Sequence, residues 1–345
     1  MGPKETVFPG LKKALVTGGG GFVGKSIVRM LIDKGVACRV VGRNHYPEIE
    51  AMGGECLVGD ISVPETMTIA TKGVDTVFHV AALAGIWGSW DRYYTTNVFG
   101  TENVIRGCQL NRIPRLVYTS TPSVVFDQKD IMGGDESLPY ATHFLCNYAK
   151  SKMMAEKLVL SVNCEALLTC AIRPHLIWGP GDPHLIPRLI EGGREKKLKI
   201  VGSGDNKVDI SYVDNVAYAH ILAAENLSSA KTAAGKPFFI GQEEPVVLWD
   251  WINSFFSRVG ISEVTRSVSL PVAYRVGALL ELIYRLLKVE KEPRMTRFLA
   301  QQLSKSHYFL HQNAQNDLGY HPIVSTEEGM ERMVQWVKKY EKSGM

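Results

Sequence analysis

The chain has 345 residues, 45% of them apolar, and a mean hydropathy of −0.03, which is enough apolar matter for one large core or two joined ones and too much for disorder or a fibre. A balance of 39 basic against 35 acidic residues leaves a net charge of +4 with no run of like charges, so no nucleic-acid partner is expected. The six cysteines, at 38, 56, 108, 146, 164 and 170, form no CxxC pair and no Cys/His ligand spacing, which suits reduced thiols in a cytoplasmic protein and gives no reason to expect a metal.

The first residues, MGPKETVFPGLKK, lack an apolar core, so no signal peptide is expected and the mature chain is expected to begin here. KALVT (13–17) reads as a buried strand, the glycines after it as a turn, and FVGKSIVRMLIDKG (22–35) as a helix with Val23, Ile27, Met30 and Leu31 on one stripe and Gly35 as its stop. VACRVV, ECLV, VDTVFHVA, PRLVYTS and LLTCAIR follow as further strands, separated by segments of helix length. Strands apolar on both faces and alternating with helices predict an α/β fold, a doubly wound parallel sheet of the Rossmann kind. After about residue 175 the rhythm breaks into loops such as WGPGDPH and VGSGDN. The expected division is a dinucleotide-binding domain of 1–178 with 209–240, and a smaller interleaved C-terminal cap of 179–208 with 241–345.

Within the cap, PVAYRVGALLELIYRLLKVEKEP (271–293) is broken by Arg275, Glu281, Arg285 and Lys288 and is not a transmembrane span. Its Val272, Val276, Leu279, Leu280, Ile283, Leu286 and Leu287 recur at helical spacing, so an amphipathic helix covering a core, a hydrophobic ligand or a lipid interface is expected, core packing being the plainest of the three. Together with PRMTRFLAQQL it is read as a lid over an apolar substrate channel.

The stretch TGGGGFVGK (17–25) places Gly18, Gly21 and Gly24 in a G-x-x-G-x-x-G spacing between a strand and a helix, where bare backbone can approach a pyrophosphate at a helix N-terminus. A Walker loop is the rival, since Gly19, Gly24, Lys25 and Ser26 also fit its register. VFHVAA, VYTSTP and AIRPH lack the acid that would hold magnesium there, so the dinucleotide reading is preferred. The second strand ends VVGRN, without the carboxylate that grips a ribose 2′-hydroxyl and with Arg43 in place for a 2′-phosphate. NADP(H) is therefore favoured, with NAD(H) left open.

In NYAKSK, Tyr148 and Lys152 stand four residues apart and share one face of a helix. An ammonium beside a phenol favours the phenolate, so a lowered tyrosine pKa and a proton-transfer role are expected. At this spacing alone such a pair is more often ordinary helix surface. YTSTPSVV, however, brings Thr121 and its neighbours Ser120 and Ser123 to the C-terminal edge of the sheet, where ligands bind.

TGGGGFVG, GDI (59–61), HVAA (79–82), NVFGT (97–101), YTSTPSV, YAKSK and RPHLIWGPGD, in that order, resemble the extended short-chain dehydrogenases/reductases over about residues 12–240. Within them the chain is similar to the 3β-hydroxysteroid dehydrogenase branch. Its AGIWGSWDRYYTTNVFGTENV, LIWGPGDPHLIPRL and TRFLAQQLSKSHYF are similar to bacterial 2-alkyl-3-oxoalkanoate reductases of olefin biosynthesis. The resemblance implies Tyr148 as acid/base, Lys152 on the nicotinamide ribose, and Thr121 in the place of the usual serine, with Ser120 and Ser123 still open. It also implies a cofactor site made by Gly18, Gly21, Phe22, Val23, Gly24, Arg43, Asp60, Ile61, Ala81 and Ala82, supported by Asn97, with Pro174 and His175 near the nicotinamide. Asp60 also reads as a turn cap and His175 as an ordinary packed histidine. Trp87 and Trp90 are expected near the substrate, or else packing the cap.

The implied activity is an NAD(P)(H)-dependent oxidoreductase interconverting a ketone and a secondary alcohol on a bulky hydrophobic substrate, foremost reduction of a 2-alkyl-3-oxoalkanoate in lipid metabolism. The alternatives are a 3β-hydroxysteroid or sterol dehydrogenase and a non-catalytic dinucleotide-binding sensor. Peripheral membrane contact and a homodimer are both left open.

Overall fold

Runs that are apolar on both faces must be covered on both. The structure, a computed structural model that describes residues 10–342, stacks seven such runs into one parallel sheet. Residues 1–9, most of the start read above for a signal segment, and residues 343–345, the end of the expected cap, lie outside the described residues. The strands are β1 (Lys13–Thr17), β2 (Ala37–Gly42), β3 (Glu55–Val58), β4 (Thr76–His79), β5 (Arg115–Thr119), β6 (Leu168–Pro174) and β7 (Pro237–Ile240). They lie in the order β3-β2-β1-β4-β5-β6-β7, every neighbouring pair parallel.

Successive residues point to opposite faces, so Leu15, Val41, Val77, Leu116 and Ala171 fill one core while Val16, Val40, Phe78, Val117 and Ile172 fill the other. The helices Phe22–Asp33 and Val213–Ser228 cover the second face, and Pro64–Ala70, Gly100–Leu110 and Asn147–Ser161 cover the first. Chain order reverses direction between β1 and β4, which opens a crevice beyond the C-terminal ends of these two strands.

The second sheet has four short strands in the order Val246–Val247, Lys207–Val208, His307–Phe309, Ile131–Gly134. It draws Ile131–Gly134 from the first expected domain and the other three from the second. One core runs from Val16 and Phe78 through Trp178 to Trp251, Phe255 and Met333, so the two expected domains share an interior.

The Leu270–Leu286 helix differs from its plainest reading. Its apolar stripe faces outward, with Val276 46%, Leu279 57% and Leu286 73% exposed, and with Val272, Leu282, Ile283 and Leu287 exposed as well. The inward face carries Ala273, Gly277 and Glu281. Backbone approach decides this orientation, because a Cβ on Gly277 would lie 2.6 Å from the carbonyl carbon of Thr296. Glu281 completes the contact by accepting from the backbone N–H of Arg297 at 2.7 Å and pairing with its guanidinium at 2.8 Å.

A buried chain of hydroxyls and imidazole ties the strand ends together. The Thr17 hydroxyl accepts from the backbone N–H groups of Val80 and Ala81, each at 3.1 Å, which occupies both its lone pairs. It therefore donates to His79 Nδ1 at 2.8 Å, and His79 Nε2–H donates to Thr101 Oγ1 at 2.9 Å. Thr101 in turn donates to the Asn97 carbonyl at 2.6 Å. Burial pushes the His79 pKa down to about 3, so the ring is neutral and keeps this tautomer. Thr17→Val keeps the shape but strips partners from two backbone donors and the imidazole. At about 1–3 kcal/mol for each buried group left unpaired, urea titration is expected to show a loss of about 3 kcal/mol or more. A loss under about 0.5 kcal/mol would mean the chain of hydrogen bonds carries no stability.

Candidate active site

The glycine loop is built for close approach. Gly18 has φ +66°, in the left-handed region, and a Cβ there would sit 2.9 Å from the Ala81 Cα. A Cβ on Gly24 would meet the Gly18 carbonyl oxygen at 2.3 Å. The Phe22–Asp33 helix starts from Gly21 with no side-chain cap and no acid in its first turn, so its first N–H groups and positive dipole end face an anion site. The Walker alternative loses its chemistry in the same place. Lys25 turns out to pair with Glu48 at 2.9 Å, and the Ser26 hydroxyl donates to Asp214 at 2.6 Å.

A cavity of about 480 Å³ runs from this loop across the strand ends to the Asn147–Ser161 helix. Gly18, Gly21, Phe22, Val23, Gly24, Arg43, Asp60, Ile61, Ala81, Ala82, Thr121, Tyr148, Lys152 and Pro174 all line it. Arg43 lies exposed at its rim, directly after β2. Asp60 lines the cavity and also caps a turn, its Oδ1 accepting from the N–H and the hydroxyl of Ser62, both at 2.8 Å. The turn-cap reading of Asp60 is thus what its hydrogen bonds show.

Asn97 and His175 lie outside the lining. Asn97 sits behind it, in a π-helical turn over Tyr94–Phe99. Its amide accepts from Leu83 N–H at 2.7 Å, donates to the Leu83 carbonyl at 3.1 Å, and donates to Ser151 Oγ at 2.9 Å. That clamps the loop after β4 to the turn of helix between Tyr148 and Lys152. His175 stacks on His307 at 4.6 Å, and burial holds its pKa well below the usual range. Leu176, at φ +38°, takes the place on the cavity wall that the sequence suggested for His175.

Tyr148 and Lys152 reach the cavity together, but their electrostatics reverse the expected lowering. Burial pushes the Tyr148 pKa up to about 12, the nearby Cys146 adding to the rise and a hydrogen bond with Thr121 drawing it partly back. The Lys152 ammonium is engaged by groups on β5. It donates to the Thr119 carbonyl and lies 4.1 Å from the centre of the Tyr118 ring. Burial pulls its pKa down to about 7, opposed by Glu156 one turn further on. Glu156 is itself buried, held by Arg173 at 2.5 and 3.0 Å and by the Tyr140 hydroxyl at 2.8 Å. Of the three candidate hydroxyls, Thr121 shares the cavity wall with Tyr148 and donates at 3.3 Å to Ser123, which lies outside the lining. The Ser120 hydroxyl is buried without a partner among the described residues.

Sequence reasoning missed Glu156 and Arg173, whose pairing joins a helix to β6 across a distance no local spacing reveals. It also missed Asp182, which lines the cavity while its carboxylate accepts from the N–H groups of His184, Leu185 and Ile186. The D of WGPGDPH was the available signal, as an acid placed just before a helix.

A second cavity, about 590 Å³, adjoins the first beyond the loop at 84–86 and is lined by Trp87 and Trp90 together with Ile86, Phe144, Leu145 and Asn147. Trp87 donates to the Val289 carbonyl at 3.0 Å and meets Tyr284 edge-on, which fixes this loop to the end of the Leu270–Leu286 helix. The helix contributes Glu281, Tyr284 and Arg285 to the wall, while Leu279 and Ile283 point away. The expected lid therefore meets the cavity with polar side chains.

The model of the 3-beta hydroxysteroid dehydrogenase/isomerase family matches residues 15–272. A 2-alkyl-3-oxoalkanoate reductase of Shewanella oneidensis is 49% identical over 328 residues, 93% of this chain and 85% of the relative. A sterol-4-alpha-carboxylate 3-dehydrogenase, decarboxylating, of Mus musculus is 34% identical over 94% of this chain and 90% of its own. Among solved structures, MoeE5 in complex with UDP-glucose and NAD superposes with a TM-score of 0.70 at 25% identity, covering 95% of this chain and 99% of that one.

One pH dependence follows from the site itself. The unfolded chain holds the Lys152 proton to about pH 10.5 and the folded chain only to about 7, so between these values the unfolded state binds more protons and Lys152 makes stability rise with pH. Lys152→Met should flatten that part of the profile relative to the unaltered protein. Parallel stability profiles from pH 7 to 10 would show that Lys152 keeps its ordinary pKa.

Proposed function

The chain belongs to the 3-beta hydroxysteroid dehydrogenase/isomerase family and is an oxidoreductase of that family; from that premise we propose that it uses NADP(H) to reduce a ketone on a bulky hydrophobic acid, foremost a 2-alkyl-3-oxoalkanoate, to the secondary alcohol. The observation that carries this reading is a half-buried phenol, Tyr148, held protonated beside Thr121 in the same cavity as the glycine loop. The residues fit a dinucleotide. Gly18 and Gly24 leave no room for a side chain, the helix start offers N–H groups to a pyrophosphate, and Arg43 with no acid at the end of β2 supports the 2′-phosphate.

When bound, the nicotinamide supplies hydride in reduction and accepts it in oxidation. Tyr148 donates the proton to the carbonyl oxygen, and its raised pKa keeps it in the donating form at neutral pH. Thr121 orients that oxygen through a second hydrogen bond. Lys152 binds the nicotinamide ribose, and Asn97 holds the helix turn between the two residues in place. Trp87, Trp90 and Ile86 give the substrate an apolar wall.

The second reading, oxidation of a 3β-hydroxysteroid or sterol, draws on the mouse relative and uses the same residues in reverse. Against a silent sensor stands the convergence of Tyr148, Lys152 and Thr121 in one cavity.

Tyr148→Phe keeps the ring and removes the transferable proton, so turnover should fall by at least about 10²–10⁴-fold with cofactor binding nearly unchanged. Near-normal turnover in the folded variant would exclude the mechanism. For the cofactor, Arg43→Ala should weaken NADP(H) about tenfold or more in fluorescence titrations and leave NAD(H) almost unaffected. Equal losses for both would remove Arg43 as the selector.

A further inference from the structure

Two glycines of the loop after β1 are left over when the close approach at Gly18, Gly21 and Gly24 is accounted for. A Cβ on Gly19 would meet the Val40 side chain at 2.6 Å, which is a packing constraint of the core. A Cβ on Gly20 would collide with the ring of Tyr46. The other edge of that ring covers Gly42, the last residue of β2, where a Cβ would lie 2.7 Å from the Tyr46 hydroxyl oxygen. Tyr46 is thus wedged between the glycine loop and the end of β2. Its backbone is fixed from the other side, since its carbonyl accepts from the N–H of the buried Ile49 at 2.9 Å and Pro47 opens a short helix, Pro47–Ala51, directly after it. Tyr46 lines the 480 Å³ cavity together with Arg43, and neither its hydroxyl nor the Arg43 guanidinium has a hydrogen-bond or ion-pair partner among the described residues. The acids that follow are taken up, Glu48 by Lys25 at 2.9 Å and Glu50 by His45 at 2.8 Å.

In a dinucleotide-binding sheet the end of the second strand separates the two cofactors, an acid there gripping the ribose 2′-hydroxyl. Gly42 stands at that end, and the Tyr46 hydroxyl occupies the space in which an acid's side chain would begin. On the NADP(H) reading above, on which this inference rests, we propose that Tyr46 is a second selector of the phosphorylated cofactor. Its hydroxyl donates to the 2′-phosphate that Arg43 attracts, and its ring excludes a carboxylate from residue 42. A neutral donor can discriminate in this way because a hydrogen bond to a charged oxygen is roughly twice as strong as one to a neutral hydroxyl. Gly20 completes the device, since a side chain there would displace the ring.

The test is fluorescence titration of the full chain with NADPH and with NADH, in the absence of substrate. Tyr46→Phe keeps the wedge and removes only the donor, so NADPH should bind about tenfold more weakly while NADH stays within about twofold of the unaltered protein. Gly42→Asp alone should gain no NADH affinity, because Tyr46 fills the space. Gly42→Asp with Tyr46→Ala should bind NADH at least about tenfold more tightly than Gly42→Asp alone. Unchanged NADPH affinity in Tyr46→Phe, or equal losses for both cofactors, would overturn the proposal. So would a full gain of NADH affinity by Gly42→Asp with Tyr46 in place. Failure of the cofactor reading itself looks different, since the unaltered protein would then bind NADH more tightly than NADPH and Tyr46 would lose its role with it. An NADPH preference that Arg43→Ala removes and Tyr46→Phe leaves intact would remove Tyr46 alone. No turnover is measured, so the proposed reductase chemistry is tested separately.

Discussion

Everything at the cavity depends on one buried connection, the chain of hydrogen bonds from Thr17 through His79 and Thr101 to Asn97. It joins the ends of β1 and β4, the two strands between which chain order reverses, and so fixes the width of the crevice. Gly18 can approach Ala81 only because these strand ends are held together, and that approach leaves room for nothing larger than glycine. Asn97 extends the constraint through Leu83 and Ser151 to the helix that carries Tyr148 and Lys152. The π-turn that presents Asn97 shifts its side chain relative to a regular helix, a distortion common at functional sites. A neutral histidine suits this role because its two nitrogens serve opposite functions, one accepting and one donating.

Electrostatics at the site follow from burial more than from pairing. Tyr148 and Lys152 are both shifted toward their uncharged forms, the phenol up and the ammonium down, because the strand ends and the helix exclude water around them. Glu156, locked by Arg173 and Tyr140, is the nearest fixed charge acting to keep Lys152 protonated. The pair therefore stands in a low-dielectric setting, where a charge brought close to it is felt strongly. A protonated phenol is the form that can give its proton to a carbonyl oxygen while the carbonyl carbon takes up hydride.

How far the sequence could be read depended on whether a feature was local. The strand-glycine-helix unit, the sheet class and the Tyr148/Lys152 spacing are local patterns, and the structure brings these residues to one cavity. Periodicity also found the Leu270–Leu286 helix, but it shows which face is apolar and not which way that face points. A tight backbone contact at Gly277 and the Glu281–Arg297 pair set the direction, and both depend on a neighbour 16 or more residues away. The same holds for His175, turned out of the cavity by Leu176 and His307, and for Lys152, whose proximity to Tyr148 on one helix face did not reveal the Thr119 carbonyl waiting on β5.

A site of the proposed kind, built around a protonated phenol with Trp87 and Trp90 on the adjoining cavity wall, should favour flexible chains over rigid rings. The most direct measurement is kcat/KM for NADPH-dependent reduction across a chain-length series of 2-alkyl-3-oxo acids beside a 3-oxosteroid. The account predicts a rise of up to about fourfold for each added methylene until the cavity is filled, with the steroid turned over poorly. A flat chain-length response with strong steroid turnover would contradict it.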